Sequence, residues 1–196
     1  MKRHSLEEQI EWLRQENIFI GPVYRYTMLG TFVGYYDTYD GKLIVPFIYQ
    51  YGDMFENGLA RVQNKAGLYG WIDMTGYEVI PCIYQFADCF SEFFNNHALV
   101  KKDGLYGVID TEGNTIIPFG YYEEFAPFYI SKYWIVKRHG LWGVIDSCGK
   151  VIIPCEYDEI ELDRRCAHVK KDGKSFDIEI EGFGNNLTLP TDAINK

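Results

Sequence analysis

Four aspartates lead the residues whose type and spacing could do chemistry. Asp73, Asp110 and Asp146 are each followed by a Gly at three residues, a Pro at eight and a Tyr at eleven, and Asp37 heads a weaker copy of the same phrase. Such a ladder of carboxylates could hold cations. A calcium loop, however, needs several oxygen donors within one segment, and Asp110-Thr111-Glu112-Gly113 supplies too few. Tight turns explain the column without a ligand, because an Asp side chain accepts hydrogen bonds from backbone N–H groups two residues on.

The remaining reactive residues form no catalytic set. His4, His97, His139 and His168 occupy no recurring column, and none lies at zinc-finger spacing from a cysteine, so no metal site and no cofactor are expected. Cys82 and Cys155 both follow a strand-ending Pro and read as small buried hydrophobes. Cys148, in the turn Ser147-Cys148-Gly149, is the thiol expected to face solvent, with Lys150 as thin support for a nucleophile. Ser147 lacks the Gly-x-Ser-x-Gly elbow of serine hydrolases, and no phosphate-cradling glycine loop runs into Lys-Ser or Lys-Thr. A non-enzymatic protein is the expectation.

Bulk properties narrow the partner. The chain has 196 residues and a net charge of −9, a field that repels phosphate backbones and attracts basic protein surfaces. Nucleic acid is thereby disfavoured. Met1-Lys2-Arg3-His4-Ser5 runs into Leu6-Glu7-Glu8-Gln9 without the apolar stretch of a secretory signal, and no apolar run could span a bilayer. The five cysteines form no Cys-x-x-Cys pair, and a reduced, cytoplasmic protein without membrane contact is expected.

The elements that position these residues are strands. Aromatic residues make up 17% of the chain, and segments such as Gly104-Leu105-Tyr106-Gly107-Val108-Ile109-Asp110 are short, β-branched and punctuated on both sides. A turn after Asp110 leads to the return strand Thr115-Ile116-Ile117, which Pro118 ends because proline lacks the ladder N–H. After a Tyr corner (Tyr49, Tyr84, Tyr121, Tyr157) a third strand follows, as in Ala98-Leu99-Val100-Lys101-Lys102. Asp103-Gly104 then has hairpin chemistry, so third and first strands should pair antiparallel.

The unit recurs after 37 and then 36 residues, a period of stacked supersecondary structure. An all-β tandem array of about four three-stranded antiparallel meanders follows, solenoid-like, with small propeller-like closure as the alternative. The units span 31–66, 67–103, 104–139 and 140–172. A capping helix and lead-in occupy 1–30, where Ser5 and Glu8 form a capping box, and a degenerate cap and tail occupy 173–196.

Gly140-Leu141-Trp142-Gly143-Val144-Ile145-Asp146, followed by Gly149-Lys150-Val151-Ile152-Ile153-Pro154 and Tyr157-Asp158, resembles the bacterial WG-repeat family. The resemblance covers about residues 31 to 172, with Tyr69-Gly70 and Tyr106-Gly107 in place of Trp-Gly and Val33-Gly34 without the ring. It implies a β-rich repeat used for binding or structure, with no shared catalytic residue set.

Candidate contact residues lie where the copies differ. Lys101-Lys102, Lys137-Arg138 and Lys170-Lys171 recur at third-strand ends, as solubilising edge charges or as a basic stripe. The corners Tyr122-Glu123-Glu124 and Glu156-Tyr157-Asp158-Glu159 combine acid and Tyr, a composition that holds Lys and Arg by ion pairing and ring contact. Phe93 and Phe94, in the insertion from Phe90 to Asn96, and Phe128 either fill the core between units or form an exposed patch. A protein-interaction adaptor or neutralising protein is expected, and a carbohydrate or cell-wall module stacking sugars on Tyr69, Tyr106 and Trp142 is the alternative.

Overall fold

The structure, a computed structural model, describes residues 3–90, 96–128, 133–163 and 166–180, apart from the side chains of Pro127 and Phe128. It opens with helix α1 (Leu6–Gln15), where the expected capping box forms: Glu8 N–H donates to Ser5 Oγ at 3.1 Å and Ser5 N–H to Glu8 Oε2 at 2.7 Å. Asn17, at φ 56°, turns the chain out of the helix, and Ile18 N–H reaches back to the Leu13 carbonyl at 2.8 Å.

Five antiparallel sheets follow in chain order. The first contains β1 (Ile20–Thr27), β2 (Gly30–Asp37) and β3 (Lys42–Tyr49). β4 (Tyr51–Gly52), β5 (Leu59–Gln63), β6 (Tyr69–Asp73) and β7 (Glu78–Tyr84) make the second, and β8 (Phe86–Ala87), β9 (Ala98–Lys102), β10 (Leu105–Ile109) and β11 (Thr115–Ile117) the third. The fourth joins β12 (Glu124–Phe128), β13 (Tyr133–Arg138), β14 (Leu141–Asp146) and β15 (Val151–Tyr157). β16 (Glu159–Leu162), β17 (Cys166–Lys171) and β18 (Lys174–Glu179) close the series.

Third and first strands pair antiparallel as expected, in β5–β6, β9–β10, β13–β14 and β17–β18. The middle three sheets gain a fourth strand, because the corner after each Tyr is itself short β-structure paired to the third strand. Each sheet therefore combines the end of one sequence phrase with the start of the next.

Local chemistry explains the repeat. In the Asp turns, Asp73 Oδ1 accepts from the Thr75 and Tyr77 N–H groups, Asp110 Oδ1 from Glu112 and Asn114, and Asp146 Oδ1 from Cys148 and Lys150, at 2.7 to 3.0 Å. Those carboxylates are occupied by backbone. The Gly of the Trp-Gly pair has a different duty: a Cβ on Gly70 would stand 2.5 Å from the Ile80 carbonyl oxygen, and one on Gly143 2.6 Å from that of Ile153. The ladder register breaks at both places, so the return strand bulges onto the glycine and leaves no room for a side chain.

The third corner departs from the spacing. Tyr49, Tyr84 and Tyr157 are buried corner rings, but their counterpart is Tyr122 and not Tyr121, which is 45% exposed. Gly120, at φ 74°, adds a residue to the turn. The hydrogen bonds agree, since the residue after each buried Tyr donates to its third strand: Gln50 to Gln63, Gln85 to Lys101, Glu123 to Lys137 and Asp158 to Lys170.

Four core clusters lie between successive sheets. Val33, Tyr35 and Val45 meet Ala60, Val62 and Ile72; Trp71 and Ile80 meet Val100 and Ile109; Leu99 and Val108 meet Trp134 and Val136; Tyr133 and Val144 meet Ala167 and Val169. None of these clusters joins the first sheet to the last. At the N-terminal end α1 lays Leu13 against the first sheet, and the Gln9 amide accepts from the Tyr24 N–H at 2.7 Å and donates to its carbonyl at 3.0 Å. The helix thus caps the open edge of β1. Among the described residues no helix is long and apolar enough to cross a membrane.

Candidate functional site

Strand alternation and the shared register bring one set of side chains to the same place in each later sheet. Across the corner, third and first strands the rows read Tyr51–Gln63–Tyr69, Phe86–Lys101–Tyr106, Glu124–Lys137–Trp142 and Glu159–Lys170–Ser175. The rings of the Trp-Gly column carry cations. Arg61 lies 5.6 Å from the Tyr69 centroid, Lys101 4.8 Å from Tyr106 and Lys137 5.0 Å from Trp142. Tyr69, Tyr106 and Trp142 are half-buried, whereas Tyr51 and Phe86 at the row ends are 40% and 42% exposed.

The acidic corners and the basic stripe, separate in sequence, form one surface. Glu124 pairs with Lys137 at 2.9 Å, Glu159 with Lys170 at 2.7 Å and Glu156 with Lys171 at 3.0 Å. These contacts lie at the surface, where such pairs are weak and screened, so an incoming charge can exchange with them. Glu123 and Asp158 have backbone partners. Glu123 accepts from the His139 and Gly140 N–H groups at 2.9 and 3.1 Å, and Asp158 from that of Asp172 at 3.0 Å. Their carboxylates clamp the next hairpin turn.

Tyr122 and Tyr157, read from sequence as ring contacts for a partner, belong to the core at 5% and 7% exposure. Burial pushes the Tyr122 hydroxyl up to about 12. The reason is geometric: the corner must tuck its ring beneath the sheet to begin the next strand. Phe128 ends β12, with its side chain outside the described residues, and Phe93 and Phe94 lie wholly outside them. Phe90, at the start of that insertion, is core and packs on Trp71 with centroids 4.8 Å apart.

Two clefts open on the sheets. A cleft of about 260 Å³ is lined by Asp53, Glu56, Arg61, Trp71, Cys89 and Phe90 among others, and there Arg61 Nε donates to Asp53 Oδ2 at 2.9 Å. The other, of about 540 Å³, lies on the last sheet between Trp142, Glu161, His168, Lys170, Phe176 and Asp177. Beside it stand Asp163 and Cys166, which with His168 fit no zinc-finger spacing in the sequence. Their signal was the alternation Cys166-x-His168 beyond an Asp-led hairpin, which puts thiol and imidazole on one face. Cys148 is exposed as expected, and burial pushes the Cys82 thiol up to about 12.

Antiparallel sheets whose described cores each lie between successive sheets, built on one Asp–Gly–Pro–Tyr phrase, define a tandem β-repeat module. The model of the WG containing repeat matches residues 34–67, 69–106, 106–141 and 142–174, and the chain belongs to that family. No curated protein matches it. A solved structure described as that of the eukaryotic initiation factor is similar in fold at a TM-score of 0.44 and 10% identity. That likeness covers 76% of this chain and 44% of the other, so the chain spans less than half the length of the protein it resembles.

Proposed function

We propose that this chain is a non-enzymatic protein-binding module, an adaptor or neutralising protein whose contact surface is the set of rows across its later sheets. The observation that carries this reading is the recurrence of an amphipathic row in register: exposed Tyr51 and Phe86 in two sheets, exchangeable Glu124 and Glu159 in the next two. Exposed aromatic rings, with Arg61 beside Tyr51, have the composition of a recognition patch. The net charge of −9 steers a basic partner toward it at long range.

Sugar stacking has less support, because Tyr69, Tyr106 and Trp142 are half-buried and each holds a cation of its own chain. The test is capture of partners from the native host by the full chain, at low and at physiological salt, beside a Y51A/F86A variant and an E124K/E159K variant. A partner retained by the parent chain and lost by both variants supports the surface. Equal capture by all three sinks it.

A further inference from the structure

The last sheet presents donor atoms that the repeat does not require. Asp163 and Cys166 close the hairpin between β16 and β17, with Cys166 N–H donating to Asp163 Oδ1 at 2.8 Å. Alternation then places Cys166 and His168 on one face, opposite Glu179 and Asp177 of β18. The groups converge. His168 Nε2 is 3.3 Å from Asp163 Oδ2, and Cys166 Sγ stands 3.9 and 4.0 Å from the two ring nitrogens. One ligand atom from each of the three residues lies within 4.8 Å of the others, and Asp177 Oδ1 meets His168 Nδ1 at 2.7 Å.

The positions that correspond to His168 in the third strands of the two preceding sheets hold Leu99 and Ile135, and Leu99 is buried in the core against the fourth sheet. Among the described residues no sixth sheet covers the last one, so a polar face there is expected of a terminal repeat. Solubility alone calls for charge. An ion-pair network also accounts for His168 between Asp163 and Asp177, but neither reason calls for a thiol at its centre. A nucleophilic cysteine needs electropositive surroundings. Here the carboxylates of Asp163 and Asp177 share its face instead. The same carboxylates favour a dication.

We propose that Asp163, Cys166 and His168 bind one divalent transition-metal ion of the zinc type, with Asp177 orienting the imidazole through Nδ1. Zinc bonds of about 2.0–2.3 Å in tetrahedral geometry set donor atoms roughly 3.3–3.7 Å apart. Asp163 and His168 already stand at that separation, and the sulfur, 3.9 Å from Nε2, has only to close in. A mixed S, N, O set selects such a metal over calcium or magnesium, which take oxygen donors. A carboxylate on the far ring nitrogen fixes the tautomer and leaves Nε2 for the metal. The fourth position is open to water. Loading moves the thiol proton, and any proton on Nε2, to solvent; no electrons are transferred.

The test uses the full chain, reduced and freed of metal by a chelator, titrated with Zn²⁺ by calorimetry and with Co²⁺ by absorption spectroscopy. One ion per chain is expected, with Kd below about 10 μM. The Co²⁺ complex should show thiolate charge transfer and intense tetrahedral bands. C166S should remove the charge transfer, H168A should weaken Zn²⁺ about tenfold or more, and D177N about 10- to 100-fold. C148S serves as the control and should change nothing. Since Asp177 is an exposed surface residue, D177N tests the site even if circular dichroism shows C166S or H168A to be misfolded. A Kd above that limit, an octahedral Co²⁺ spectrum, or Zn²⁺ affinity unaltered in D177N and in the folded variants overturns the proposal.

Discussion

At the scale of the residue, the recurring aspartates show how a carboxylate is held by its own backbone. The Thr75 hydroxyl, aided by the Tyr77, Thr75 and Gly76 backbone, keeps the Asp73 carboxyl below its ordinary 3.8. For Asp110, partial burial opposes the charge, and hydrogen bonds from Asn114 and Glu112 outweigh it, so its carboxyl is also lowered. A carboxyl lowered in the folded state contributes stability above its unfolded pKa and loses that contribution as pH falls through the folded value. Melting temperature should therefore fall as pH drops below about 4. A D73N/D110N variant should flatten this acid limb, and an unchanged limb would refute the assignment. The effect is small because both groups sit half-buried in surface turns, where solvent screens the charge. Their role was legible in sequence, since Asp at the start and Gly at the end of the turn have local reasons.

At the scale of the element, the corner and the following hairpin form one unit. Glu123 ties the start of β12 to the His139-Gly140 turn, which has both residues at positive φ, 54° and 77°. Replacing Glu123 by Ala removes two charge-assisted bonds from an exposed turn, a loss of about 1 kcal/mol. Hydrogen exchange at the His139 and Gly140 amides should quicken roughly five- to tenfold while the strand amides of β6 keep their protection. No change at those two amides would show that the clamp is dispensable. The hairpin itself was readable from its turn residues. The clamp was not, because it joins positions sixteen and seventeen residues apart. Likewise the choice of Tyr122 over Tyr121 as corner ring depends on which one can reach the core, and counting from Pro118 favours the wrong one.

At the scale of the whole molecule, the described cores each join neighbouring sheets, which makes stability nearly one-dimensional. Val169, 2% exposed, packs with Tyr133 and Val144 between the last two sheets. Val169→Ala should cost about 2 kcal/mol there. Exchange protection should drop across β12 to β18 and persist in β1 to β3, where α1 caps the far end. Uniform loss through all five sheets would show one cooperative unit instead.

What the sequence by itself determined is everything with a local cause: strands from aromatic and β-branched alternation, turns from Asp and Gly, strand ends from Pro, and the period that stacks them. Tertiary structure decided which of the variable residues stay at the surface. It drew Tyr122 and Tyr157 into cores, bound Glu123 and Asp158 to turns, set Glu124 and Glu159 against lysines of the neighbouring strand, and set Glu156 against Lys171 of the next sheet. It also gathered Asp163, Cys166, His168 and Asp177 on the terminal face. Cross-strand register and sheet stacking set these distances, and both depend on residues remote in the chain that no local pattern encodes.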